Sequence, residues 1–432
     1  MECEERDILV IGAGPGGSIA ARTTAASGLD VLLVDRHEFP RYKCCAAGVL
    51  WHNIEDFPEI KPVIENYNHR MVVHSPSLDR KFEVVSTDDY LLGQTYRSTL
   101  DEHLAKLAVA SGAEFRDAHS VKEIKFLPDA TGAIVTIMDK ASSEEHDVKV
   151  KLVIDASGVS AVSRKMHPRL TTWNRENMLM ASELDVSMDS DEITSRLGEE
   201  RTVHIFLYFN DLPGYAWIFT KEHSVSVGMG TMLEFKGKML KGKQLASNFK
   251  EYCSFLEQEG YIKPGSCDTS KTRYALIPSM SIKEGTTFAD NVLLVGDAAG
   301  VFVSALSGEG IYYAMLSGRF AGRTACDAFK KGKMDAKTLS SYRNAWQKRL
   351  KSELNYQYFA RNYMLFEKRR CEKAIRWGLK DKAIRKFLRV FFTGRYKINR
   401  WFALRLVGHY IRLKIKDALG MLGEREKRED YK

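Results

Sequence analysis

The sequence predicts an α/β protein: a parallel sheet opens the chain, a largely antiparallel sheet follows, and the C-terminal region is helical. Three observations predict it. A strand, glycine-rich turn, helix and strand follow one another over residues 7–34. Alternating apolar segments fill residues from about 170 to 280, where period two marks a half-buried strand. From residue 336 onward the chain reads as helical, basic and aromatic.

Asp7 to Ile11 is a short apolar run, and Gly12 follows at once. Ser18 to Ser27 is Ala-rich and fits a helix; Val31 to Val34 is the next strand. Leu100 to Ala110 reads as an amphipathic helix, and Lys151–Ile154 and Asn291–Val295 as strands. His204–Phe209 and Tyr215–Phe219 alternate within the antiparallel region. The sequence carries no internal repeat and no low-complexity linker.

With 432 residues, 44% hydrophobic and 28% charged, the chain is long enough for two or three domains and a large core. That balance excludes disordered, collagenous and disulfide-stapled classes. The seven cysteines are Cys3, Cys44, Cys45, Cys253, Cys267, Cys326 and Cys371. Their odd number, with no pair at zinc-ligand spacing, points to a reducing, cytoplasmic setting and to no metal site. The opening MECEERDILV carries acids where a signal peptide carries basic residues. No apolar run approaches the length of a spanning helix.

The turn Gly12-Ala13-Gly14-Pro15-Gly16-Gly17 holds G-x-G-x-x-G between a strand and a helix. Gly12 permits the tight turn, Gly14 lets the backbone approach a pyrophosphate, and Gly17 lets helix and strand pack. The helix N-terminus offers free N–H groups to the anion. Asp35 closes the second strand, where a carboxylate binds ribose hydroxyls. These residues define a dinucleotide site and leave FAD and NAD(P) both open.

Later segments resolve that choice by resemblance. Asp155-Ala156-Ser157-Gly158 and Gly296-Asp297-Ala298-Ala299-Gly300 each follow a strand. They resemble the second and third fingerprints of the flavoprotein superfamily of aromatic hydroxylases and geranylgeranyl reductases. Arg97-Ser98-Thr99-Leu100-Asp101 resembles its R-x-x-F/L-D element. Gly308-Glu309-Gly310-Ile311 resembles the stretch that passes the flavin ring. The resemblance implies a Rossmann-type FAD-binding domain of the aromatic-hydroxylase class, discontinuous over 1–165 and 281–335. It implies an antiparallel-sheet substrate domain at 166–280 and a basic helical region at 336–432. Asp297 matches the aspartate on the flavin ribityl chain, and Arg97 the arginine beside the cofactor. Pro15, Gly16, Val121, Asp155, Gly158, Gly296, Gly308, Gly310 and Ile311 join the implied FAD set. Ser304-Ala305-Leu306 stands where the superfamily has a proline.

Two segments resemble the geranylgeranyl reductase family, archaeal digeranylgeranylglycerophospholipid reductases in particular. Phe39-Pro40-Arg41-Tyr42-Lys43-Cys44-Cys45-Ala46-Ala47-Gly48 resembles FPR-x-K-x-C-x-x-G, with Cys45 as the family cysteine and Ala46 and Gly48 its flavin-contacting neighbours. Pro213-Gly214-Tyr215-Ala216-Trp217-Ile218-Phe219 resembles P-x-x-Y-x-W-x-F. Tyr215, Trp217 and Phe219 alternate, so a strand places them on one face. Such a face suits an isoprenoid chain and favours developing positive charge. The implied activity is an FAD-dependent oxidoreductase acting on CH–CH groups, which saturates geranylgeranyl chains of ether lipids or their precursors. Tyr215 and Trp217 would line the prenyl channel; Cys45, a water or the reduced flavin would supply the proton. The electron donor would be NAD(P)H or a ferredoxin-like protein. A monooxygenase of the same fold and a non-catalytic, membrane-bound flavin protein are the rivals. The sequence has no W-x-W-x-I-P motif of halogenases.

Charge is uneven. Residues 321–432 hold 31 Lys+Arg and 11 Asp+Glu, while the remainder holds 34 and 45. Arg405, His409, Arg412 and Lys416 share one side of a helical spacing; Leu404, Val407, Ile411 and Ile415 share another. Phe391, Phe392, Trp401 and Phe402 sit among the basic residues. This composition predicts a peripheral contact with an anionic membrane, with inserted aromatics, rather than with nucleic acid.

Overall fold

A computed structural model describes residues 3–86, 90–171, 177–279, 286–365, 367–393 and 408–415. The first apolar run forms strand β1 (Glu4–Ile11), whose last four residues are buried. The glycine turn releases the chain into helix α1 (Pro15–Ala25), where proline at the first helical position removes an N–H that has no partner there. Strand β2 (Val31–Val34) returns parallel to β1, with Ile11 opposite Val34. On the other side of β1 lie Glu145–Asp155 and then Val292–Leu294, both parallel; Glu114–Arg116 lies beyond β2. The five parallel strands therefore finish at one edge, and the loops after Ile11, Val34, Asp155 and Leu294 meet there. That edge is where open α/β sheets bind ligands.

Lys151–Ile154 is only the inner end of its strand, which begins at Glu145. The outer half alternates exposed and buried because it pairs antiparallel with Ala133–Asp139; the inner half is buried throughout by parallel neighbours. Helix Ile311–Lys331 packs across α1 at glycines. A Cβ on Gly318 would lie 2.1 Å from the Gly16 carbonyl oxygen, so the two backbones touch without side chains between them.

The second sheet runs Arg273–Pro278, Met178–Ser187, Ser224–Met232, Gly214–Thr220, Val203–Leu207, Arg70–His74, Lys81–Val85. Its pairs are antiparallel except Val203–Leu207 with Arg70–His74. The last two strands lie within residues that the sequence reading assigns to the first domain. They join the second sheet because Met71, Val73, Phe82 and Val84 complete its core beneath the C-terminal helices. Helix Gly242–Gln258 covers the opposite face through Leu245, Phe249 and Tyr252.

Beyond residue 335 come helices Ala336–Ala360, Lys368–Lys380 and Lys382–Thr393. Asp335 caps the first, its carboxylate accepting the Thr338 N–H at 2.7 Å. Tyr342, Trp346 and Leu350 of that helix are fully buried in the core of the first sheet. Arg405, Leu404, Val407, Trp401, Phe402 and Lys416 lie outside the described residues.

Candidate functional site

One cavity of about 770 Å³ opens at the end of the parallel sheet and continues under the second sheet. At its near end Gly12 has φ +100°, and a Cβ there would lie 2.4 Å from the Ala156 carbonyl oxygen, so the turn requires glycine. Asp35 is held at the end of β2. Its Oδ2 accepts the Ala13 N–H at 2.9 Å and its Oδ1 the His37 N–H at 3.0 Å.

Two arginines converge on the α1 N-terminus. A Cβ on Gly14 would lie 3.6 Å from Arg41 Nη2 and 3.9 Å from Arg97 Nη2. Both arginines are anchored by the fully buried Asp101: Arg97 donates to it at 2.9 and 2.7 Å, and Arg41 approaches it at 3.0 Å. Burial alone would depress the Arg97 pKa; Asp101 and then the Cys45 sulfur outweigh it, so Arg97 stays charged. Arg41 also reaches Asp35 Oδ2 at 3.4 Å, so two carboxylates hold the two guanidinium groups in place beside the N–H groups of the helix N-terminus, which are what a diphosphate needs.

Further in, Gly158 and Val121 border the same end, while Gly296, Asp297, Gly308, Gly310 and Ile311 line the middle. Lys43 Nζ stands 3.4 Å from Asp297 Oδ2. Where the superfamily proline is missing, Ser304 shapes the loop instead. Its Oγ accepts the Ser307 N–H at 3.0 Å and its carbonyl the Gly308 N–H at 3.0 Å. Cys45, Ala46 and Gly48 line the opposite wall.

The far end is apolar. Tyr215, Trp217 and Phe219 face the cavity from Gly214–Thr220, with ring centroids 5.9 and 6.4 Å apart in succession. Ala216 and Ile218, between them, face helix Gly242–Gln258 instead. The Tyr215 hydroxyl donates to the Ser307 carbonyl, beside Gly308. Burial, then the neighbouring Cys45, push the Tyr215 phenol up and keep it protonated. A Cβ on Gly48 would lie 2.9 Å from the Phe219 ring, and one on Gly228 2.2 Å from Trp217. The aromatic wall thus rests directly on glycine backbone.

Two residues of the expected set lie off the cavity wall. Gly17 packs α1 on β1, a Cβ there falling 1.8 Å from the Gly12 carbonyl oxygen. Asp155 is buried, and its carboxylate accepts the Ser157 and Ser163 N–H groups at 2.9 and 2.7 Å. It holds the loop that presents Gly158. Phe391 and Phe392, read from the sequence as membrane-inserting aromatics, line the cavity. Helix Lys382–Thr393 puts Lys382, Lys386 and Arg389 outward. The carboxylate of Glu183 also borders the cavity, a residue that its sequence context did not single out.

The glycine cradle, Asp35, the paired arginines and the carboxylate of Asp297 fit an extended dinucleotide such as FAD. The fold is that of FAD-dependent oxidoreductases and halogenases. It matches a geranylgeranyl bacteriochlorophyll reductase-like protein from Thermoplasma acidophilum with TM-score 0.74, at 21% identity over 87% of this chain and 91% of that one. It matches the myxobacterial chondrochloren halogenase with TM-score 0.63, at 17% identity over 95% and 90%. The pyridine nucleotide-disulphide oxidoreductase family matches residues 6–79. An uncharacterised protein of Methanosarcina barkeri is 31% identical over 78% of this chain and 79% of its own length. The digeranylgeranylglycerophospholipid reductase of Methanocaldococcus jannaschii is 27% identical over 92% and 97%. This chain belongs to the geranylgeranyl reductase family of flavoproteins.

Proposed function

We propose that the chain is an FAD-dependent reductase that saturates carbon–carbon double bonds of geranylgeranyl chains, in membrane ether lipids or their prenyl precursors. One observation carries this reading: the dinucleotide end and the aromatic wall belong to a single cavity. FAD supplies hydride from N5 once reduced. The protein's residues do the rest. Asp35, Arg41, Arg97 and Asp297 hold the cofactor, and the glycines at 48, 308 and 310 let its ring approach the backbone. Tyr215, Trp217 and Phe219 bind the prenyl chain, exclude water, and face carbon that gains positive charge as it is protonated. An isolated alkene accepts hydride poorly without that help. In this reading the first sheet carries the cofactor and the second the substrate.

Electrons come from an external donor, NAD(P)H or a ferredoxin-like protein. The lipid enters beside Phe391 and Phe392, while Lys382, Lys386 and Arg389 rest on an anionic membrane. Among the described residues no helix is long and apolar enough to cross a membrane; the contact in this reading is peripheral.

The test is anaerobic. Chemically reduced holoenzyme mixed with a geranylgeranyl lipid should reoxidise without oxygen, one flavin per double bond lost. Reoxidation that requires oxygen would favour the monooxygenase; none at all would favour a binding protein.

A further inference from the structure

Glu183 occupies the middle of strand Met178–Ser187, opposite Gly228 on one side and Arg273 on the other. It is 1% exposed and borders the cavity. A carboxyl so deep must be hydrogen-bonded or neutral. Its Oε2 accepts from the Tyr42 hydroxyl at 2.6 Å and from the Cys45 N–H at 3.2 Å. Its Oε1 accepts from Ser226 Oγ at 3.0 Å, and Ser226 in turn meets Trp217 Nε1 at 3.5 Å. Tyr42 is 52% exposed. Glu183 therefore joins a phenol that water reaches to the two walls of the cavity, the cysteine–glycine segment and the aromatic strand.

The charged and titratable groups around it are Tyr42, Cys44 and Cys45 from one segment, Asp185 and Lys221 beyond it, and Arg273 from the next strand. Lys221 is bound to Asp185 at 2.6 Å. Burial, and then Asp185, raise the Glu183 carboxyl above its ordinary range, against the pull of Tyr42, Lys221 and Ser226. Burial and the nearby Glu183 also push the Cys44 thiol up, so that thiol holds its proton firmly.

We propose that Glu183 is the proton carrier of double-bond reduction, refilled from solvent through Tyr42. This rests on the reading of the cavity as an alkene reductase site. One alkene carbon takes hydride, with its electron pair, from the reduced flavin. The π pair of the alkene forms the second C–H bond to the Glu183 carboxyl proton. Glu183 is left as a carboxylate. Burial and Glu183 push the Tyr42 phenol up, so it hands its proton to the carboxylate only as it takes one from water, and the hydroxide so formed leaves to solvent, which balances charge and atoms over the cycle.

The experiment uses full-length holoenzyme as wild type, Glu183→Gln, Tyr42→Phe and Ser226→Ala. Flavin content and dithionite reduction should be equal in all four, which checks folding and the cofactor site. Infrared difference spectra against pH should show in wild type a protonated carboxyl that ionises above the surface carboxylates and is missing from Glu183→Gln. Single-turnover alkene reduction should fall about 100-fold in Glu183→Gln. Wild type should lose rate as pH rises and Glu183 gives up its proton; the Gln variant should lack that alkaline limb. Tyr42→Phe should be slowed less, and more strongly in D₂O than in water. Ser226→Ala, which cuts only the branch to Trp217, should keep the limb. Reduction by Glu183→Gln at the wild-type rate, or with the limb intact, would overturn the proposal and leave the reductase reading standing. A wild type that reduces no geranylgeranyl lipid under any donor would overturn both.

Discussion

On the proposed reading Asp297, which lines the cavity, would accept a hydrogen bond from a ribityl hydroxyl, and a charged acceptor of this kind is worth about 1.5–3 kcal/mol. Asp297→Ala should therefore weaken FAD retention about 10- to 100-fold, measured by flavin fluorescence during dialysis. On the same reading Trp217 would bind the other partner, the prenyl chain. Trp217→Ala should slow alkene reduction far more than flavin reduction, and equal slowing of both would make the ring a packing residue only. At this scale the sequence showed what local chemistry shows. Gly12, Gly14 and Asp35 stand next to their strands and turns, so spacing exposes them, whereas Asp297 stood out by resemblance to a family fingerprint. Arg41 and Asp101 stand in segments that resemble family motifs, but their pairing was not legible, and Glu183 stands in no motif. Arg41 and Asp101 lie 60 positions apart and meet at 3.0 Å only once folded. Glu183 sits in Ala-Ser-Glu-Leu-Asp, where alternation reads as an ordinary exposed strand acid. Asp155 carries the opposite lesson: it stands in a fingerprint, yet its carboxylate is used up on two backbone N–H groups.

The crossing of α1 with Ile311–Lys331 fixes where the glycine turn points. Gly318→Leu would drive a side chain into the Gly16 backbone, since even its Cβ would lie 2.1 Å from that carbonyl oxygen. Overpacking of this kind costs about 1–3 kcal/mol. The variant should melt at lower temperature by calorimetry, and it should also bind FAD less tightly because α1 shifts. Unchanged melting would mean that the helices part freely. Elements were legible where one periodicity held throughout, as in β2 and the strand Gly214–Thr220. They were blurred where a strand changes partners. The outer half of Glu145–Asp155 alternates and its inner half does not, so only the inner half stood out. Arg70–His74 and Lys81–Val85 were assigned by chain position to the first domain, because pairing with residues 203–207 is a long-range event.

Charge and shape meet only at the scale of the whole molecule. The basic C-terminal region is not a detachable tail: a cut near residue 337 would strip Tyr342 and Trp346 from the core of the first sheet. The membrane reading is better tested on the surface. Lys382→Glu, Lys386→Glu and Arg389→Glu together should reduce co-sedimentation with anionic vesicles by about tenfold or more, and salt should weaken binding of the unaltered protein. Activity on a short soluble prenyl alcohol should survive. Equal pelleting of both proteins would remove this helix from the interface.

The central claim is that cofactor and prenyl chain share one cavity in which hydride passes to carbon. The mass of the lipid product tests it most directly. After incubation of reduced holoenzyme with a geranylgeranyl ether lipid, mass spectrometry should show gains in steps of two hydrogens, one step per saturated bond. A gain of one oxygen, or an unchanged lipid beside a fully reduced and competent flavin, would contradict it.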